Sequence, residues 1–248
     1  MALKRSSVRF RLAPPILTIE LTGTAAQGLH DMSAATCAAR VALAFIALAL
    51  CGSGAVAQQT IVEPVPDAAW RNMNGKSWHA HLPCPSREEL ALLKVPYWDF
   101  NGVARTGELI VGRSAAHDVA KVFDTIFASR QFRFAKIRLI DHYNGSDDAS
   151  MADNNTSAFN CRKVEGSQGM SKHARGLAID INPIQNPYRD AKGTYPRAGT
   201  RYGIPAERKP GITGLIVEGD IVTRAFAGIG WSWGGHFKSI KDYQHFAK

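Results

Sequence analysis

The chain has 248 residues, a formal net charge of +9 and four cysteines. This length holds one large domain or two small ones, and no cysteine pair has the C-x-x-C spacing of a zinc knuckle. The basic excess suits an anionic polymer and does not choose between a cell wall and a nucleic acid.

Residues 1–57 do not read as fold. Met32 offers a second start, Arg40 follows, and an apolar run from Val41 to Leu50 precedes Ala55, Val56 and Ala57, a small-x-small signature of secretory cleavage. The run is short for a bilayer span. We therefore expect an upstream segment, then a signal peptide over 32–57, with export to the periplasm or cell envelope. No stable membrane anchor is expected after cleavage, and Leu50 occupies the position where a lipoprotein site at Cys51 wants a small residue. Removing 1–57 takes away five bases and two acids and leaves 191 residues of net charge +6, enough for one well-buried core. Cys84 and Cys161 remain. In an oxidising compartment they can close one long-range disulfide, worth about 4 kcal/mol on a chain-entropy account. Two buried free thiols are the alternative.

Within 58–248, residues 58–85 are polar and rich in Pro and Trp, which predicts an extended arm ahead of a domain over 86–248. Ser86 and Glu89 have the spacing of a capping box, predicting a short helix to Lys94 that Pro96 stops. Glu108 to Val111 reads as a strand. Ser114 then caps an amphipathic helix, whose Val119, Val122, Phe123, Ile126 and Phe127 form a core-facing stripe. Phe134 to Tyr143 reads as a strand, with Ile137 and Leu139 alternating against Lys136 and Arg138. On such a strand Asp141 and His142 point to opposite faces, so at most one reaches a cleft.

The stretch 144–160 is dense in Asp, Ser and Asn and predicts a surface loop. Leu177 to Ile181 is strand-like and carries Asp180 among small and apolar neighbours. Five prolines and five glycines between Asn182 and Gly214 predict a long irregular rim. Ile221 to Ala227 suggests a helix, and Trp231 to Phe237 a last strand and turn. No internal repeat or low-complexity segment occurs in 58–248.

Two segments carry the chemistry. His173 and Asp180 are too far apart for one helical turn, but Gly176 lets the chain turn back, so the following strand can return Asp180 towards His173. A charged group in that strand has to be paired or bound to a cation. Asp242 and His245, three apart, suit a turn that aims both side chains into one cleft. Together the segments offer two imidazoles and one carboxylate to a metal with a second carboxylate left over, the composition of a catalytic zinc site with a base beside it.

These residues, written Ser171-x-His173-x-x-Gly176-x-Ala178-x-Asp180, then Trp231-x-Trp233-Gly234-Gly235, then Asp242-x-x-His245-Phe246, resemble the zinc D,D-peptidase family. That family includes VanY-type D-alanyl-D-alanine carboxypeptidases and L-alanyl-D-glutamate endopeptidases, on the fold shared with hedgehog domains. The resemblance extends from about Leu93 to the C-terminus. It implies one Zn2+ per chain held by His173, Asp180 and His245, with Asp242 as general base. Some branches carry Glu at the base position, one methylene longer. It also implies an arginine at the developing oxyanion, for which Arg162 stands in the corresponding place and Arg138 is the fallback. Ser171, His236 and Trp233 are candidate substrate contacts, although Ser171 can equally cap a turn, and His236 as a fourth ligand would close the site.

The expected fold class is α+β, a small, mainly antiparallel sheet with flanking helices. The expected activity is hydrolysis of peptidoglycan stem peptides, as a D-Ala-D-Ala carboxypeptidase ahead of an L-Ala-D-Glu endopeptidase. A zinc-stabilised wall-binding module without turnover is the reading from another class. Nucleic-acid binding has no motif behind it and is not expected.

Overall fold

The computed structural model describes residues 58–164 and 166–248. The expected signal peptide and the segment before it lie outside the described residues. Among the described residues no helix is long and apolar enough to cross a membrane.

Residues 58–85 do not form an extended arm. They hold β1 (Ile61–Pro64) and α1 (Asp67–Met73), and Val65 and Met73 are buried. A few well-placed apolar residues dock this segment in spite of its polar composition. The helix expected from the capping box to Lys94 is also absent. Glu89 does reach back to the Ser86 amide at 2.8 Å, but the 3-10 turn ends at Glu89. The chain then enters β2 (Leu90–Trp98).

β2 is apolar at almost every position because both its faces are covered. It lies between β1 and β3 (Ala104–Gly112), antiparallel to each. Ala91, Leu93, Val95 and Tyr97 enter one core with Leu109 and Val111. Leu90 and Leu92 enter the other with Ile110, Met73, Phe159 and Cys161. The period of two thus splits one strand between two cores. Pro96 is tolerated because β1 pairing with β2 ends at Lys94, so its missing N–H costs no ladder bond on that side.

α2 (Ala116–Ser129) buries Val119, Val122, Phe123 and Ile126 as the stripe requires. Phe127 is only half-buried and stacks on Trp98 with centroids 5.0 Å apart. The cap is not Ser114, since a 3-10 turn over Arg113–Ala115 leads into the helix.

The strand expected over 134–143 shrinks to β4 (Lys136–Ile137). Ile140–Tyr143 is a 3-10 turn, on which Asp141 is buried and accepts a bond from Ser77 Oγ at 2.8 Å. Burial pushes the Asp141 carboxyl above its ordinary value.

The stretch 144–160 is no surface loop. It holds α3 (Asp147–Ala152), with Ser146 capping at Ala149 N, and β5 (Asn155–Thr156), parallel to β4. Asn155, Thr156, Phe159 and Asn160 are buried. The side chains of Asn155, Thr156 and Asn160 bond to protein groups, backbone and side chain alike. Asn155 Nδ2 donates to the Arg138 carbonyl at 3.0 Å and its Oδ1 accepts from the Arg138 amide at 2.9 Å, which satisfies the buried amide. Cys161 is joined to Cys84 by a disulfide.

The remaining strands are short. β6 (Ala178–Asp180), β7 (Tyr188–Arg189) and β8 (Thr194–Tyr195) precede α4 (Ile221–Gly228). β9 (Ser232–Trp233), β10 (Lys241–Asp242) and β11 (His245–Ala247) follow it. They form two antiparallel sheets, in the orders β10-β7-β8 and β6-β11-β9. The class is α+β as expected, with several small sheets in place of a single one.

Candidate metal centre

β11 is the middle strand of its sheet, and its register sets His245 directly opposite Asp180 and Phe246 opposite both Ile179 and Trp233. Ile179 and Phe246 are fully buried in the main core. Alternation then turns Asp180 and His245 to the other face together. The apolar residues thus aim the polar ones.

His173 arrives from a 3-10 turn over His173–Arg175. Ser171 Oγ accepts from the His173 amide at 3.2 Å and its carbonyl accepts from Ala174 N at 3.0 Å, so Ser171 shapes this turn. Gly176 closes it at φ +65°, and its carbonyl accepts from Gly112 N at 2.9 Å at the end of β3. A Cβ at Gly176 would lie 2.1 Å from Gly112 N. Gly176→Ala is therefore expected to melt at least about 5 °C lower in a thermal unfolding scan, from left-handed strain plus displacement of β3. An unchanged melting point would contradict this packing.

The three side chains converge. His173 Nε2 lies 3.2 Å from His245 Nδ1 and 3.2 Å from Asp180 Oδ2, and His245 Nδ1 lies 2.9 Å from Asp180 Oδ1. His173 Nδ1 faces the Ala158 carbonyl at 2.6 Å. A carbonyl only accepts, so Nδ1 carries the proton and Nε2 presents its lone pair to the cluster. Three donors on one zinc ion, at ~2.0–2.1 Å and near-tetrahedral angles, stand about 3.3 Å apart. The observed separations fit that ion, as does the donor set of two imidazole nitrogens and one carboxylate.

Electrostatics separates the two carboxylates. Burial alone would raise Asp180, but His173 and His245 hold it well below the usual carboxylate range. Burial disfavours a charged His173, yet Asp180 and the Ala158 carbonyl outweigh it and raise His173 above its ordinary value. Burial pushes Asp242 up to about 6, with Asp180 adding to the rise and His245 and His173 opposing it. Asp242 Oδ1 is shielded from solvent and has no hydrogen-bond partner. One carboxylate is thus kept ionised among the donors, while the other is poised to gain and lose a proton.

The other candidates sit differently. Arg162 pairs with Asp147, Nε touching Oδ2 without the alignment of a hydrogen bond. Its charge reaches His173, and its carbonyl accepts from Ser171 N at 3.0 Å. Arg138 is exposed and acts instead on Tyr97, Tyr143 and Asp153. Trp233 is buried, with Nε1 donating to the Tyr243 carbonyl at 2.8 Å, which makes it a support of the Asp242 turn. His236 is exposed, pairs with Glu218 and lies outside the donor cluster.

Sequence reasoning missed the 155–160 segment as a wall of this site. Ser157 and Asp180 exchange both backbone hydrogen bonds, at 3.0 and 2.9 Å, and Asn160 N donates to the His173 carbonyl at 3.2 Å. The group that orients His173 is a main-chain carbonyl, which any residue supplies and no motif can mark.

A family model described as D-alanyl-D-alanine carboxypeptidase matches residues 165–248. Searches of curated proteins and of solved structures return no match. The family match falls on the C-terminal third of the chain, the third that carries His173, Asp180, Asp242 and His245, and it supports the zinc D,D-peptidase family as the family of this chain.

Proposed function

We propose that the chain is an exported zinc peptidase that hydrolyses peptidoglycan stem peptides, of the D-Ala-D-Ala carboxypeptidase type. The observation that carries this reading is Asp242, a carboxylate with a buried, unpartnered oxygen and a raised pKa beside three converging donors. A zinc ion that only stabilises the fold requires no such neighbour.

His173, Asp180 and His245 would hold the ion, which supplies Lewis acidity toward water and an amide carbonyl. Asp242 takes a proton from the attacking water and returns it to the leaving amine, a task suited to a group titrating near the working pH. Arg162, anchored by Asp147 and by the adjacent Cys84–Cys161 disulfide, presents a cation to the oxygen that gains charge. The disulfide also supports an oxidising, extracytoplasmic location. The net charge of +6 beyond residue 57 suits an anionic wall as it suits any anionic polymer.

Mass spectrometry of defined muropeptides, incubated with and without chelator, tests the proposal. Chelator-sensitive loss of one terminal D-Ala is expected. A cut between L-Ala and D-Glu would make the enzyme an endopeptidase, and zinc-loaded protein that leaves every muropeptide intact would favour the wall-binding module.

Gly234 supplies a further check. A Cβ there would lie 2.4 Å from the Asp242 carbonyl oxygen and 2.9 Å from its Cβ. Gly234→Ala should keep its zinc, because no ligand is touched, yet lose about tenfold or more in kcat by displacing the base. Wild-type kcat in that variant would argue against Asp242 as the base.

A further inference from the structure

Arg208 lies half-buried in the 182–214 segment. Its Nη1 donates to the carbonyls of Gln185 and Tyr202, each at 3.0 Å. Nη2 donates to Asn186 Oδ1 at 3.2 Å and to the Ile216 carbonyl at 2.6 Å. Cζ lies 3.6 Å from the centroid of the Tyr243 ring. All four acceptors are neutral oxygens, and burial lowers the guanidinium to about 10.

Holding the half-buried Arg208 cation among neutral acceptors carries a desolvation cost that Asp220 offsets only in part. A planar fork does what an apolar chain cannot. It gathers oxygens from separate segments at 185–186, 202 and 216, and it lays a flat face on an aromatic ring.

That ring belongs to the residue after Asp242. The Tyr243 amide donates to the Pro187 carbonyl at 3.3 Å, and the Tyr243 carbonyl accepts from Trp233 Nε1 at 2.8 Å. On the other side, Asp242 pairs with Tyr188 across β10 and β7. Asp242 Oδ1 has no hydrogen bond and Gln244, two residues on, bonds the carboxylate, so its aim depends on how firmly the backbone of 242–244 is held.

We propose that Arg208 is a positioning residue for Asp242: by clamping the rim and stacking on Tyr243, it fixes the turn that points the carboxylate at His173, Asp180 and His245. This rests on the reading of Asp242 as the base. Arg208 itself touches no reacting atom. The rim is thereby joined to the catalytic turn, so a change in the rim reaches the base through one side chain.

The test compares wild type with Arg208→Met, which keeps an apolar contact over Tyr243 but loses all four hydrogen bonds, in zinc-loaded protein. Zinc content should be unchanged. Amide exchange at 242–244 should be at least about tenfold faster, with 178–180 unaffected. On muropeptide, kcat should fall about 10- to 100-fold with KM within about threefold of wild type, as expected for a displaced base.

A merely structural Arg208 predicts a lower melting point, wild-type kcat per zinc-loaded molecule and no selective change at 242–244, and that result overturns the proposal. If Arg208→Met does not accumulate as folded protein, Arg208→Lys keeps the charge without the fork. A smaller shift in the same direction is expected, and wild-type exchange and kcat in the lysine variant also overturn the proposal. A wild type that cuts no stem peptide, with 242–244 loosened in the variant, supports the clamp and defeats the peptidase reading.

Discussion

Asp242→Asn is expected to abolish most hydrolysis while leaving zinc bound at one per chain. The amide has the shape of the carboxylate but cannot take up a proton, and loss of a general base costs about 10^2- to 10^4-fold in rate. The ligand atoms of His173, Asp180 and His245 converge without it, so metal content by elemental analysis should not change. The melting point should hold or rise, because Asp242 Oδ1 is buried without a hydrogen bond and removing an unsatisfied charge relieves the fold. Stability and activity would then move in opposite directions at one residue. Loss of zinc in this variant would make Asp242 a ligand and overturn the division of roles.

The same carboxylate sets a pH dependence. Burial holds Asp242 up at about 6, and a base works only when deprotonated, so kcat/KM should fall on the acid side. Below the limb the fall is about tenfold per pH unit. A nearby zinc cation favours the carboxylate and moves the limb below 6. The pH–rate profile of Asp242→Asn should lack this limb. A limb of unchanged position in that variant would assign it to another group.

Replacing His245 by Ala should remove zinc and activity together. His245 contributes Nδ1, 3.2 Å from His173 Nε2 and 2.9 Å from Asp180 Oδ1, and no other histidine joins the cluster among the described residues. Losing only a hydrogen-bonded partner of a ligand costs about 10- to 100-fold in metal affinity, so losing the ligand should cost more. Titration with a competing chelator measures it. Deleting residues 245–248 gives a less clean result. That deletion also removes Phe246, fully buried, and the strand between β6 and β9. Native circular dichroism in His245→Ala, with zinc lost, separates the site from the fold, and full zinc occupancy would disprove the ligand assignment.

How legible these features were depended on whether a residue's own chemistry marked its role. The α2 stripe was legible because a helix buried on one face repeats its apolar residues at that spacing. β2 was misread as a helix because a strand covered on both faces loses its alternation. The 155–160 segment reads as surface from composition because Asn155 and Thr156 spend their side-chain polarity on backbone groups. Polar composition alone does not report which partner satisfies it.

From the sequence alone came the identities of the candidate donors, the turn at Gly176 and the separate carboxylate at Asp242. Zinc chemistry demands imidazole and carboxylate, and few other side chains substitute for them. The tertiary structure decided how those groups are placed. Only the fold places Asp180 opposite His245, supplies the Ala158 carbonyl to His173 Nδ1, and buries Asp242 Oδ1 without a hydrogen bond. Register, main-chain hydrogen bonds and burial depend on segments far apart in the chain. Ala158 lies 15 residues from His173 and Asp180 lies 65 from His245, so no local pattern can encode them, and they take their values only when the core has closed.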